Sequence, residues 1–448
     1  MRIWLSSIAA LLVSTAPTSA QVAPTSQISI PDSSKPQSVG IIGALAVSVG
    51  LQSDNDVHSA FTNVAVLKPS ATVPPVSTLP TASPAAAAVP MAASATTIAE
   101  TPASIACIYG LVAQSSGCNP TIVQTDATGG KNVIAIVDAF DDPNVEGDLQ
   151  VFCNKFHLPF DLTKFQVEFA SGKRPGSDTS TGKGWEIETS LDVQWAHAIA
   201  PDAKIILVEA DSDSLTDLLA AVKRADQLVV QNGGGEVSLS WGEQESASET
   251  TNDAAFGTSN VVHFAATGDS FTVSYPASSP QVIGVGGTSI VRDPSGSFVG
   301  ETPWYDATNE VGSGAGFSTI EDKPTFQANI AGVTFPNRGV ADIAAVADPT
   351  TGVWVYDSGN ANFSTNQGWL IIGGTSAATP IIAAIASNSG QSPVSGATEL
   401  QYIYSKIGTP AYAHAQSGKC GPNGKYSSDG TGWNYCTGVG TPRSTAGL

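Results

Sequence analysis

Short, separated stretches of this chain carry the residue types that acyl transfer needs. One is Gly373-Gly374-Thr375-Ser376-Ala377-Ala378-Thr379-Pro380. It lies between a strand-like run, Trp369-Leu370-Ile371-Ile372, and a buried-helix run, Ile381-Ile382-Ala383-Ala384-Ile385-Ala386, so it reads as strand, glycine turn and helix. Ser376 then stands at a helix N-terminus, where unpaired N–H groups and the macrodipole favour a developing negative charge. That position suits a serine nucleophile passing through an oxyanion. Taken alone, the same serine is equally a helix cap after a glycine turn.

A second stretch supplies a base. Residues 188–199 have helical character and end before Pro201. Glu188 and Asp192 are four apart and share a face with Leu191, Trp195 and Ile199. Two carboxyls on an apolar stripe are costly if both are charged, and the usual resolution is a raised pKa and a shared proton. Such a group serves as a general base in acid. The plainer reading is an exposed acidic pair. Asp269, in Thr267-Gly268-Asp269-Ser270, follows an apolar strand. Aspartate there is commonly a turn former, but when protonated it can donate to an oxyanion.

These residues need a scaffold, and the texture from Thr101 onward provides one. Apolar runs at 132–137, 204–208, 237–240, 261–265 and 282–285 alternate with helical or loop segments such as 214–228. Continuous apolar strands between helices predict an α/β fold, a mostly parallel central sheet with helices on both faces. Sites on such sheets gather at the carboxyl ends of the strands.

Ahead of this lies different material. Arg2, an apolar core at residues 3–13 and Thr18-Ser19-Ala20 before Gln21 read as a secretory signal peptide over residues 1–20. Residues 21–103 are largely Ala/Pro/Ser/Thr-rich, with only 39–47 hinting at local structure, and read as a low-complexity pro-segment or linker removed during maturation. The folded domain is expected over 104–448. No later apolar run spans a bilayer, so export as a soluble protein, extracellular or periplasmic, is the expectation. The five cysteines fit an oxidising compartment, with Cys107–Cys118 and Cys420–Cys436 as the expected bridges and Cys153 buried and free. No Cys/His cluster suggests zinc.

The formal net charge is −20, from 19 Lys and Arg against 39 Asp and Glu. Such a chain does not seek nucleic acid or anionic membrane. Near pH 4 about half its carboxylates are neutral, which brings the net charge close to zero and suits acidic surroundings. Plain surface solubility gives the same composition.

In this order, Glu188-x-x-x-Asp192, Val193-Gln194-Trp195-Ala196-His197-Ala198-Ile199-Ala200-Pro201, Ser238-Leu239-Ser240-Trp241-Gly242, Thr267-Gly268-Asp269, Tyr275-Pro276-Ala277-Ser278-Ser279-Pro280, Gly286-Gly287-Thr288 and Gly374-Thr375-Ser376-x-x-x-Pro380 resemble the sedolisin family of serine-carboxyl peptidases. The resemblance runs from about Thr101 to the C-terminus. It implies a subtilisin-like fold and an acid-active endopeptidase or tripeptidyl peptidase. It also implies Ser376 as nucleophile, Glu188 as general base, Asp192 assisting Glu188 and Asp269 in the oxyanion hole. Polypeptide substrates would lie extended along Ser240, Trp241 and Gly242. No cofactor is implied for the chemistry, and a monomer is expected. A degenerate, peptide-binding relative is the alternative.

The five histidines (His58, His157, His197, His263 and His414) lie in no motif that a histidine-dependent subtilisin would require. Asp138 therefore reads as structural or as a turn former, and His197 as packing. Three features depart from the family pattern. Gly373 stands where the family usually has serine. The usual calcium-ligating aspartates fall on His414 and Asn434, so calcium binding is expected to be absent or weak, with Cys420–Cys436 tying down the loop instead. The pro-segment is short for the family.

Overall fold

The computed structural model describes residues 37–38, 60–62, 65–67, 96–97, 99–179, 184–359 and 368–448. The expected signal peptide and the apolar run at 39–47 lie outside the described residues.

Eight strands make the central sheet. Seven follow the order Phe298–Pro303, Val282–Arg292, Val261–Ala266, Gly235–Leu239, Val133–Ala139, Lys204–Ala210 and Phe165–Phe169. The eighth, Ile343–Val346, also pairs with Val282–Arg292. Every pairing is parallel except the hairpin between Val282–Arg292 and Phe298–Pro303.

Strand alternation divides the core into two layers. Val133, Ala135 and Val137 pack with Ile206 and Val208 toward Leu218, Val222 and Val229 of the helix Leu215–Gln231. Ile134 and Ile136, with Ile205 and Leu207, pack on the other face. There they meet Leu191 and Trp195 of the acid helix, Gly184–Ile199, and Ile381 and Ile385 of the serine helix, Thr375–Ser389. By the same alternation Asp138 belongs to the face of Ile134 and Ile136, beneath the acid helix. It lies inside a strand and is fully buried, so it is not a turn former.

The acid helix begins at Gly184, ahead of its expected start, and every residue of it is buried. Its position is fixed by polar bonds to the backbone of the strand Val353–Tyr356. Trp195 Nε1 donates to Trp354 O at 2.9 Å, Gln194 Nε2 donates to Tyr356 O at 2.6 Å, and Tyr356 N donates to Gln194 Oε1 at 2.9 Å. Satisfying these groups removes the penalty a buried amide or indole N–H otherwise carries, about 1–3 kcal/mol each.

The folded body takes in residues ahead of 104. Thr101 caps the helix Pro102–Ile108, and Glu100 is buried against Arg292, with Arg292 Nε donating to Glu100 Oε1 at 2.9 Å. Farther upstream, Phe61–Thr62 and Ala65–Leu67 form short strands on the body, although composition marks that region as low-complexity. The bridges Cys107–Cys118 and Cys420–Cys436 are formed, and Cys153 is free and buried. Among the described residues, no helix is long and apolar enough to cross a membrane.

Candidate active site

The strand Trp369–Gly373 feeds the serine helix through a turn that only glycine permits. A Cβ on Gly373 would lie 2.3 Å from Ala347 O and 2.4 Å from Pro349 N, so a serine there has no room. Gly374 adopts φ 92°, which other residues rarely adopt, and its N–H donates to Ala347 O at 2.6 Å. Thr375 opens the helix. Its N–H and its hydroxyl both donate to Asp269 Oδ1, at 2.8 and 2.9 Å. Asp269 Oδ2 is buried and unpartnered.

Ser376 is fully buried, and its hydroxyl donates to Ser240 O at 3.2 Å. Pro380 follows one turn later and has no N–H to give the Ser376 carbonyl. The Ser240 hydroxyl lies 3.3 Å from that carbonyl and 2.8 Å from Asp192 Oδ1. Ser240 thus links the serine helix to the acid helix.

Glu188, Asp192, Asp138 and Asp269 are all buried around this point. None of them makes an ion pair with Lys, Arg or His among the described residues. Burial holds the Glu188 carboxyl well above the ordinary range, and the charges of Asp192 and Asp138 push the same way. The nearby Ser376 hydroxyl opposes this weakly. Neither Glu188 oxygen has a hydrogen-bond partner while that hydroxyl points to Ser240 O, and one rotamer change of Ser376 is the step that would engage it. Asp192 is raised by burial and then by Asp138, against the Ser240 hydrogen bond. Burial pushes Asp138 to about 7, with Thr189 opposing, and Asp269 to about 7, with its two bonds from Thr375 opposing.

A buried serine at a helix N-terminus, beside buried carboxyls and with no imidazole paired with them among the described residues, can be compared with known proteins. Residues 179–398 match the model of the subtilase family. Kumamolisin of Bacillus sp. (strain MN-32) is 27% identical over 377 residues, which are 78% of this chain and 63% of the relative. Sedolisin of Pseudomonas sp. (strain 101) is 28% identical over 364 residues, 73% of this chain and 60% of the relative. A solved structure, Pseudomonas sedolisin (serine-carboxyl proteinase) complexed with two molecules of pseudo-iodotyrostatin, superposes with a TM-score of 0.61 at 25% identity, covering 77% of this chain and 95% of that one. The chain is similar to the sedolisins. Its fold is subtilisin-like. It spans about three-fifths of the length of the two curated relatives.

The residues marked out by sequence meet in one place: Ser376, Glu188, Asp192 and Asp269, with Ser240 between the helices. Asp138 joins them, although its sequence context gives it no role. The available signal was its parity with Ile134 and Ile136 in the strand. Two of the described histidines have their partners elsewhere, and His58 lies outside the described residues. His197 Nε2 is 2.7 Å from Pro159 O, and His263 Nε2 is 2.8 Å from Asp226 Oδ1.

Trp241 and Gly242 belong to the cleft strand, Trp241–Gln244, anchored by Trp241 Nε1 donating to Val137 O at 2.9 Å. One edge of this strand pairs with Ser274–Tyr275. The other edge, expected to receive an extended peptide, carries the short strand Phe61–Thr62 of the same chain. Phe61 lies opposite Gly242 and Thr62 opposite Trp241, antiparallel.

The loop where the family resemblance implies calcium is organised differently. Asn434 Oδ1 accepts from Cys436 N at 2.9 Å and Thr437 N at 3.0 Å, and Ala415 O accepts from Ser428 Oγ at 3.2 Å. His414 offers only imidazole. These oxygens serve the loop's own hydrogen bonds, and His414 and Asn434 supply no carboxylate where the resemblance implies one.

Proposed function

We propose that this protein is a secreted serine-carboxyl peptidase that hydrolyses polypeptides in acid. Ser376 is the nucleophile, Glu188 the general base, Asp192 the group that positions Glu188 and shares its proton, and Asp269 the oxyanion donor. One observation carries the reading: Ser376 sits at a helix N-terminus among four buried carboxyl groups, none of them paired with a cation or a histidine among the described residues. A histidine base is protonated in acid, whereas carboxyl groups ordinarily titrate near 4, so a cluster of them keeps an ionised member that accepts a proton at lower pH than an imidazole can.

In the reaction, Ser376 Oγ attacks the scissile carbonyl as its proton passes to Glu188. The oxyanion lies between the helix N-terminus and Asp269, whose Oδ1 is held by Thr375 and whose protonated Oδ2 is the donor. Glu188 then gives its proton to the leaving amine. Water, deprotonated by Glu188, releases the acyl group. Trp241 and Gly242 bind the substrate backbone as an added strand. Calcium has no part in this reading. The expected signal peptide and the two disulfides support an exported protein.

The test is peptide hydrolysis between pH 3 and 8 by the wild type, Ser376→Ala and Glu188→Ala. Turnover on the acid side that both substitutions abolish is expected. No turnover would favour a peptide-binding relative, and a neutral optimum indifferent to Glu188→Ala would favour a histidine-type mechanism.

A further inference from the structure

Gly268, Thr375 and Asp269 form a chain of hydrogen bonds that runs in one direction. Gly268 N donates to Thr375 Oγ1 at 3.1 Å. The Thr375 hydroxyl has one proton to give, and it donates to Asp269 Oδ1 at 2.9 Å. Thr375 N donates to the same oxygen at 2.8 Å. Thr375 is held in this pose. It is fully buried, its methyl group packs over Gly287, and its carbonyl accepts from Thr379 Oγ1 at 2.8 Å. The loop that carries Asp269 is held as firmly. Gly314 N donates to Gly268 O at 2.6 Å, and Gly312 N donates to Asp269 O at 2.9 Å.

The two carboxyl oxygens of Asp269 are therefore unequal. Oδ1 has two donors directed at it, and a proton on that oxygen would face them. Oδ2 is buried without a partner. A protonated Asp269 accordingly carries its proton on Oδ2. The plainer role for such a contact is a helix cap, a carboxylate serving the first N–H groups of the serine helix. A cap of that kind works best ionised, and an ionised carboxyl with one oxygen buried and unpartnered is costly. Burial instead raises Asp269 to about 7, against both bonds from Thr375, which keeps it protonated in acid. The titratable groups that share its space are Glu188 and Asp192 on the acid helix and Asp138 on the sheet. No Lys, Arg or His pairs with Asp269 among the described residues.

We propose that Thr375 is a positioning residue of the reaction, holding Asp269 Oδ1 as an acceptor so that the proton stays on Oδ2, where the oxyanion forms. This rests on the peptidase reading above, in which Asp269 is the oxyanion donor, and adds the residue that decides which of its oxygens donates. Thr375 acts through Asp269 and does not touch the reacting atoms. It immediately precedes Ser376, so one helix turn sets both the nucleophile and the proton that answers it. Its hydrogen bonds to Oδ1 favour the ionised form of Asp269 over the neutral one. Thr375 thereby also sets how far toward neutral pH the donor keeps its proton.

Thr375→Val keeps the side chain's size and the backbone N–H and removes the hydroxyl, whereas Thr375→Ser keeps the hydroxyl. Casein hydrolysis is followed against pH for both variants, alone and combined with Asp269→Ala. In parallel, the infrared band of a protonated carboxyl that is lost in Asp269→Ala is titrated in the Ser376→Ala protein, which cannot digest itself. In Thr375→Val, kcat is expected to fall roughly tenfold with KM little changed. Its alkaline limb should nevertheless move to higher pH, because the lost bond favoured the ionised form, and the infrared midpoint should rise in step. Thr375→Ser should keep both near the wild type, and Thr375→Val added to Asp269→Ala should cost nothing further. A threonine with a merely structural role would lower Tm and kcat in every background and leave the infrared midpoint where it was; that result overturns the proposal and leaves the peptidase reading standing. A raised midpoint with unchanged kcat also overturns it and takes Asp269 out of the oxyanion site. If the wild type hydrolyses nothing, the peptidase reading fails first, and this proposal with it.

Discussion

Pro380 stands one helical turn after Ser376 and leaves its carbonyl without the usual intrahelical donor; the Ser240 hydroxyl lies 3.3 Å from that oxygen and 2.8 Å from Asp192 Oδ1. One hydroxyl therefore orients Asp192 and steadies the helix turn that carries Ser376. Ser240→Ala removes both contacts and keeps the cleft backbone. A hydrogen bond to a charged or proton-sharing group is worth about 1.5–3 kcal/mol, so kcat is expected to fall roughly ten- to hundredfold with KM little changed. A change confined to KM would assign Ser240 to substrate binding alone.

In the proposed mechanism Asp269 sets the alkaline side of the activity profile. It donates to an oxyanion only while protonated, and burial places its pKa at about 7. Turnover is expected to decline as pH rises through that value. Asp269→Asn keeps an oxygen for Thr375 and supplies an amide N–H that does not titrate, so it should retain activity and flatten the alkaline limb. Asp269→Ala should lose about 10²–10³ in kcat. pH–rate profiles of the three proteins test this, and an unchanged limb in Asp269→Asn would count against the assignment.

Stability should also favour acid. Burial, as the leading cause, raises Glu209, Glu236 and Glu249 to about 8, Glu243, Glu321 and Glu399 to about 7, and Asp148 to about 6. Unfolded carboxyls titrate near 4. Above that pH the folded form retains protons that the unfolded chain releases, so stability is complete below about pH 4 and declines as pH rises through 6 to 8. Exposed Asp161, Asp293 and Asp429, lowered by their hydrogen bonds, act oppositely and only on the acid side of the usual range. Thermal unfolding of Ser376→Ala, which avoids self-digestion, should give a Tm that falls from pH 4 to pH 8. A flat or rising Tm would contradict it.

The C-terminal loop should depend on its bridge and be indifferent to calcium. Cys420–Cys436 closes a segment with a sequence separation of 16, for which chain entropy predicts about 3 kcal/mol. Paired substitution of both cysteines by serine should lower Tm, while a calcium chelator should leave it unchanged in both proteins. A chelator-induced drop would show that the loop holds a cation.

Much of this was legible in local sequence because each signal is short-range. Glu188 and Asp192 share a face by helical geometry, Ser376 follows a glycine turn, and apolar runs between helices specify a covered parallel sheet. Asp138 was not legible in the same way, because its importance depends on which face of its strand the acid helix covers. Gly373 reads as a departure from a family pattern until Ala347 O is found 2.3 Å from where its Cβ would be.

The sequence by itself determined the chemistry available: a serine, carboxyls in place of a histidine base, two disulfides and a sheet to hold them. Only the tertiary structure decided that four carboxyls share one buried space, that Ser240 joins the two helices, and that Phe61–Thr62 and Ala65–Leu67 pair with the cleft strand and with the strand that leads into the serine helix. The reason is physical. Side-chain periodicity is written into neighbouring residues, whereas burial depth and strand pairing depend on backbone groups more than a hundred residues apart. Backbone hydrogen bonds to an open strand edge leave almost no mark on composition, so a stretch of Ala, Thr and Val reads as a linker until the edge that receives it is known.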